Sequence, residues 1–247
     1  MKKGLTSNGL KIIAIITMII DHIGYYLYPY LDIETYYLFR SIGRISMPLF
    51  AFLIVQGFFH TKNLKKYIFR ILGLAIITQI CLNVLNYINV KHFPLYATEI
   101  HTYLNILFSY TLSLILLEIL NNKNKNKNLF INILIFILII LTYLTLNIDY
   151  GMRIPFIMIS LYFIEKLCPK DNLKGKLQYL SLMLVCFILS LTFVKINPVL
   201  KYSMLISLLF IGFYNGEKGK NSKFLQYLFY AIFPIHHTIL YLLAMFL

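Results

Sequence analysis

Apolar runs, each about as long as a helix needs to cross a bilayer, follow one another through the chain with short basic connections between them. A helix requires about 20 apolar residues to cover roughly 30 Å of hydrocarbon. Runs of this kind occupy 10–30, 38–59, 68–90, 101–120, 129–147, 152–167, 177–194, 198–214 and 225–246. They predict an all-α, polytopic transmembrane helical bundle of about nine spans, with the sixth and eighth short. Of the 247 residues, 60% are apolar and 13% charged, too few charges to cover a soluble surface of this size. Lipid is the solvent that such a composition needs.

The net charge of +14 resembles a nucleic-acid footprint only until its distribution is examined. The lysines lie in short loops between spans, and no nucleic-acid-binding motif accompanies them. With the N-terminus inside, seventeen Lys and Arg fall in inner segments against four in outer ones, Lys91, Arg153, Lys195 and Lys201. That bias predicts an inner N-terminus and an outer C-terminus. The tract NNKNKNKN at 121–128 reads as a solvated inner loop. No second domain or internal repeat is visible, so 1–247 reads as one unit. Cys81, Cys168 and Cys186 are scattered singly and form no metal or disulfide pattern. The first apolar run carries Asp21 and His22 and lacks a small-residue cleavage site, so it is expected to stay as the first span.

Charged groups at membrane depth are costly, by about 2.5–3.5 kcal/mol each on insertion scales, and therefore mark function or tight pairing. Asp21 and His22 lie past the middle of the first span; adjacent helical residues diverge by about 100°, so each is expected to meet a different helix. Lys11 precedes His22 by eleven residues, close to three turns, and either shares its face or snorkels to the interface. Arg40 and Arg44 stand one turn apart in the second span, with Asp21 as the expected counter-charge of Arg44. They form either a bundle-locking ion pair or an anion clamp. His236 and His237 follow Pro234, which frees a carbonyl and lets the last span bend; one is expected to face the bundle. The corner QGFFHTKNLKKYIFR at 56–70 carries His60, Lys62, Lys65, Lys66 and Arg70, and suits either an anionic, nucleotide-linked donor or simple topology control. In HTYLN, His101 stands at the outer end, and Asn105 either donates to a carbonyl or binds a neighbouring helix. Glu118 and Asp149, near span ends, read as interfacial.

Together these segments resemble the TraX family. The resemblance rests on KIIAIITMIIDHIG, FRSIGRISMPLFAFLIVQGFFHTKNLKKYIFR, LNILFSYTLSL, DYG at 149–151, and YNGEKG followed by KFLQYLFYAIFPIH. Named members of that family act in acetylation of conjugative pilin subunits, and the family is distantly similar to acyltransferase type 3 membrane proteins. The resemblance implies a multi-pass acetyltransferase of the bacterial inner membrane. Its co-substrate would be acetyl-CoA, with no metal, and its acceptor an amine or hydroxyl such as a pilin-like N-terminus or an envelope molecule. In the wider group a first-helix histidine eleven residues after an arginine is central; His22 matches it, while Lys11 stands where arginine would. Gln56 stands where TraX-like sequences often carry glutamate. Asp21, Arg44, His60 and His236 match family-typical positions.

The combined expectation is a catalytic set of His22, Asp21, Arg44 and His236, with either histidine as the base. Lys11, Arg40, His60, Lys62, Lys65, Lys66, Arg70 and Asn105 are expected to serve the donor. Two other classes fit the same residues: a proton-coupled transporter or flippase, and a non-enzymatic assembly protein whose charges only lock helices together.

Overall fold

The computed structural model describes residues 4–92, 103–121, 129–168, 173–193, 197–220 and 223–247. His101 and positions 122–128 of the Asn/Lys tract lie outside them. Among the described residues the regular structure is helical. Helix α1 spans Ser7–Tyr26, α2 Ile33–Gly43, α3 Ser46–His60, α4 Leu64–His92 and α5 Ile106–Asn121. Then follow α6 Leu129–Thr145, α7 Arg153–Leu167, α8 Leu173–Ser190, α9 Pro198–Ser203, α10 Ser207–Gly212 and α11 Lys223–Phe246.

Five segments are long and apolar enough to cross a membrane: Ser7–Tyr26, Ile33–His60, Leu64–Ile88, Leu173–Phe193 and Gln226–Phe246. Every one of the nine runs has a helical counterpart, but α5, α6, α7 and the 198–212 segment are shorter than a full crossing. Many large apolar side chains face outward, as Phe130, Ile133, Leu134 and Ile137 do on α6. Lipid is the environment that accommodates such a surface.

The expected second span, 38–59, is not one continuous helix. It breaks at Arg44 and Ile45 between α2 and α3. Pro48 has no N–H to return to the Arg44 carbonyl, which interrupts the ladder at that turn. Ser46 Oγ donates to the Gly43 carbonyl at 2.8 Å and satisfies one carbonyl at the break. Arg44 itself still closes the last turn of α2, its amide donating to the Arg40 carbonyl at 3.2 Å.

Spacing decides which face of α1 turns inward. Leu10, Ala14 and Met18 are buried while Ile12 and Ile16 are exposed, and the same three- and four-residue steps carry the buried stripe on to Asp21. Thr6 caps the helix by accepting from the Gly9 amide at 3.2 Å. Two glycines bring α1 and α2 together. A Cβ on Gly24 would meet the Phe39 Cβ at 2.9 Å, and one on Gly43 would overlap the Asp21 side chain. Helix α11 lies along α1 and buries Phe233, His236, His237, Leu240 and Tyr241.

Candidate active site

Two cavities lie along α1. The first, of about 490 Å³, is lined by Lys11, Gln56, His60, Arg70, Lys218 and Tyr230 among others. The second, of about 270 Å³, is lined by Asp21, His22, Arg40, Arg44, Asp149 and Tyr150 among others. Phe50, Leu107 and Phe233 belong to both walls. The rings of Phe50 and Phe233 pack at 5.3 Å between centroids and form the apolar partition. From Lys11 to His22 the helix rises about 16 Å, so the ends of the two chambers are separated by that order of distance.

His22 and His236 meet across α1 and α11, with Nδ1 of His22 3.0 Å from Nε2 of His236. The other nitrogen of His236, Nδ1, lies 2.6 Å from the Ile232 carbonyl oxygen. A carbonyl only accepts, so Nδ1 of His236 carries a hydrogen. In the neutral ring Nε2 then holds the lone pair, and His22 Nδ1 donates to it. This order puts the lone pair of neutral His22 on Nε2, in a ring that lines the second cavity. One histidine of the pair was expected to face the bundle, and His237 is buried and engaged as well: its Nδ1 is 2.9 Å from the Tyr26 hydroxyl.

The pairing of Asp21 differs from expectation. Its Oδ2 accepts from Arg40 Nη1 at 2.8 Å, and its backbone carbonyl accepts from the same nitrogen at 3.2 Å. Arg44 instead donates to the Tyr150 hydroxyl at 2.9 Å. Arg40 lies where Gly24 and Gly43 bring α2 against α1, and Arg44, at the end of α2, reaches the loop before α7. Arg44 Nε and Asp21 Oδ1 are buried and meet no hydrogen-bond partner among the described residues. Tyr150 has a φ of 61°, a left-handed conformation that costs a bulky residue roughly 1–3 kcal/mol and presents its hydroxyl to Arg44.

Other expected site residues separate into two groups. Lys11, His60 and Arg70 are on the first cavity's wall, Lys11 with its ammonium 5.3 Å from the Phe229 ring centroid. His60 Nδ1 donates to the Gln56 carbonyl at 2.7 Å. Lys62, Lys65 and Lys66 are exposed and are not among the residues lining either cavity. Asn105 borders the second cavity but is held by α4, donating to the Ala75 carbonyl and to Gln79 Oε1, each at 2.9 Å.

Several members of the site come from outside the expected set. Asp149, read as interfacial, borders the second cavity, and Tyr150 holds Arg44; the DYG motif was their only signal. Arg153, counted among the outer loop charges, is 2% exposed and lies between Met204 and the Tyr150 ring. Lys218 reaches the first cavity from the YNGEKG loop, which pairs with the start of the chain. Ser7 and Asn8 donate their amides there to the carbonyls of Glu217 and Lys218, at 2.8 and 3.1 Å.

Apolar helices wrapped around a buried histidine, carboxylate and guanidinium cluster define a helical membrane protein with a chemically equipped interior. A family model described as TraX protein matches residues 6–244. The chain belongs to the TraX family. It is 26% identical over 245 residues to the probable fimbrial assembly protein FimC, serogroup H1, of Dichelobacter nodosus, covering 96% of this chain and 95% of that one. It is 33% identical over 217 residues to the uncharacterized protein RP591 of Rickettsia prowazekii (strain Madrid E), covering 87% of this chain and 73% of that one. No solved structure matches the chain.

Proposed function

We propose that the protein is a membrane acetyltransferase, moving an acetyl group from acetyl-CoA to an amine or hydroxyl acceptor. The observation that carries this reading is the His22–His236–Ile232 hydrogen-bond chain opening on a cavity that also holds Arg44. His22 Nε2 takes the proton of the acceptor N–H or O–H as that atom attacks the thioester carbonyl. His236 accepts from Nδ1 and holds the ring in the tautomer that leaves Nε2 basic. The tetrahedral oxyanion lies against Arg44, whose buried Nε–H has no partner among the described residues and is the donor held for that charge. Collapse breaks the C–S bond, and the proton returns from His22 to the leaving thiolate. Arg40 neutralises Asp21 and keeps it beside the site without being consumed.

The donor fits the first cavity, whose volume is in the range of small-molecule sites. Lys11, Arg70 and Lys218 supply positive charge for CoA phosphates, and the pantetheine arm passes the Phe50–Phe233 partition to reach His22. This route sets the first cavity on the cytosolic side of the bacterial inner membrane. It accords with an inner N-terminus, nine crossings and an outer C-terminus. The fimbrial role in the name of the Dichelobacter relative favours a pilin-like acceptor over a soluble metabolite.

The test is transfer of radiolabelled acetyl from acetyl-CoA by purified protein in detergent, with CoA-dependent thermal stabilisation measured in parallel. Wild type should transfer label and be stabilised by CoA, and His22→Ala should retain the stabilisation while losing transfer. A protein that drives pH-gradient-dependent flux in vesicles and ignores CoA would instead be a transporter.

A further inference from the structure

His22 has two imidazole neighbours. Its ring centroid is 4.8 Å from that of His236 and 4.4 Å from that of His237, and the two rings on α11 are 4.2 Å apart. One possible ligating nitrogen from each of the three falls within 4.8 Å of the others. Two nitrogens bound to one tetrahedral zinc at about 2.0–2.1 Å stand about 3.3 Å apart; His22 and His236 are already at 3.0 Å. Closing the remaining distance takes small rotations of side chains that are each anchored at the other end.

Both α11 histidines are anchored through their Nδ1 atoms. His236 Nδ1 is held by the Ile232 carbonyl, and His237 Nδ1 by the Tyr26 hydroxyl. Metal-binding histidines have the same arrangement: the non-ligating N–H is fixed on a carbonyl or another oxygen and aims the second nitrogen. His236 and His237 are 3% and 9% exposed, so the cluster is shielded, yet His22 and His237 border the second cavity. That leaves a fourth coordination position open to solvent or substrate.

We propose that His22, His236 and His237 form a trihistidine site for a borderline-soft divalent metal, zinc in the first instance, that inhibits the base when occupied. Three neutral imidazoles suit zinc, copper or nickel, and lack the oxygen ligands that calcium and magnesium require. A metal that takes Nδ1 of His22 and Nε2 of His236 replaces the hydrogen they share. The His22 proton moves to Nε2, so no proton is released and the basic lone pair is lost. A metal bound through His22 Nε2 consumes that lone pair directly. Occupancy and base catalysis therefore exclude each other. The inhibitory consequence rests on the acetyl-transfer reading; the binding site does not.

Cobalt(II) is the spectroscopic probe, titrated into the purified full-length protein in detergent. One equivalent should bind per chain with the intense visible absorption of tetrahedral coordination, and zinc should displace it. His22→Ala, His236→Ala and His237→Ala should each weaken binding at least about tenfold, and Tyr26→Phe, which removes an outer-shell anchor, about tenfold. His60→Ala, outside the cluster, should leave the titration unchanged. His237→Gln serves if an alanine variant loses its helical circular dichroism. Weak octahedral absorption, or a titration indifferent to all three cluster histidines, overturns the site. Zinc that binds with this pattern but leaves acetyl transfer unaltered overturns the inhibition alone. An absence of acetyl transfer leaves the cobalt result standing by itself.

Discussion

Asp21 is paired with Arg40, not with Arg44: Oδ2 and Nη1 are 2.8 Å apart, with side chains 11% and 13% exposed. A mostly buried pair is worth little against a neutral substitute, but removal of one partner strands the other and typically costs about 3–5 kcal/mol. Asp21→Asn should lower the melting temperature in detergent sharply, and Asp21→Asn with Arg40→Gln should recover most of the loss. If instead Arg44→Gln rescues Asp21→Asn and Arg40→Gln does not, the pairing described here is wrong.

Gly43 makes that pairing possible. A side chain there would overlap the Asp21 side chain, including its Cβ at 2.0 Å, which is fixed to the α1 backbone. Gly43→Ala should therefore destabilise by about 1–3 kcal/mol or more, although alanine is the better helix former. Gly73→Ala is the contrast, since nothing lies within 4 Å of a Cβ there; in mid-α4 it should gain up to about 1 kcal/mol. Thermal unfolding of the two variants, side by side, checks both signs.

How much of this was legible in the sequence depends on the kind of information each residue carries. Ionisable groups inside apolar runs announce themselves by their cost, so Asp21, His22, Arg40, Arg44, His236 and His237 stand out without any structure. So does the divergence of Asp21 and His22 onto different partners, which follows from helical geometry alone. Partner choice is another matter. Whether Asp21 meets Arg40 or Arg44 is set by the close approach of α2 to α1 at Gly43, which span-finding by hydropathy smooths over. Asp149 and Tyr150 were hidden for the opposite reason: at a span end a carboxylate is ordinary, and only the fold carries that loop back to the cavity. Lys62, Lys65 and Lys66 show the limit of reading charge runs, because three neighbouring lysines say nothing about which way a corner faces.

The Phe50–Phe233 partition bears on acyl length. Both rings belong to both cavity walls, so the space beside His22 that receives the acyl group is bounded by them. Phe233→Ala should raise the butyryl-CoA to acetyl-CoA ratio of kcat/KM by about tenfold or more, the discrimination that one or two methylenes carry. Phe50→Trp should move the ratio the other way. An unchanged ratio in both variants would place the acyl group elsewhere.

Gln56 borders the first cavity, is 5% exposed, and its Nε2 has no hydrogen-bond partner among the described residues. A buried amide left unsatisfied costs about 1–3 kcal/mol, and a pantetheine amide carbonyl would satisfy it. Gln56→Leu, which removes both the donor and its burial cost, should raise the acetyl-CoA KM about fivefold to a hundredfold with little change in kcat. The protein without ligand should be no less stable. A fall in kcat at constant KM would assign Gln56 to the chemical step instead.

Asp149 gives the protein a pH dependence whose sign follows from its surroundings. It lies in the loop between α6 and α7, with its amide on the Leu104 carbonyl at 2.9 Å and its carbonyl accepting from Ser109 Oγ at 3.0 Å. The residue is exposed by surface area and borders the second cavity, while desolvation at its carboxyl pushes it up to about 6 against the opposing pull of Arg44. The folded state thus holds this proton more tightly than the unfolded chain, where the value is 3.8. Its contribution to stability is complete below about pH 4 and is lost as pH rises through about 6. Asp149→Asn should remove that component, so the melting temperatures of wild type and variant should diverge between pH 4 and about 6.5, with the wild type falling relative to the variant. A wild-type curve that rises relative to the variant over the same window would mean that Arg44 outweighs desolvation and that the carboxylate is ionised throughout.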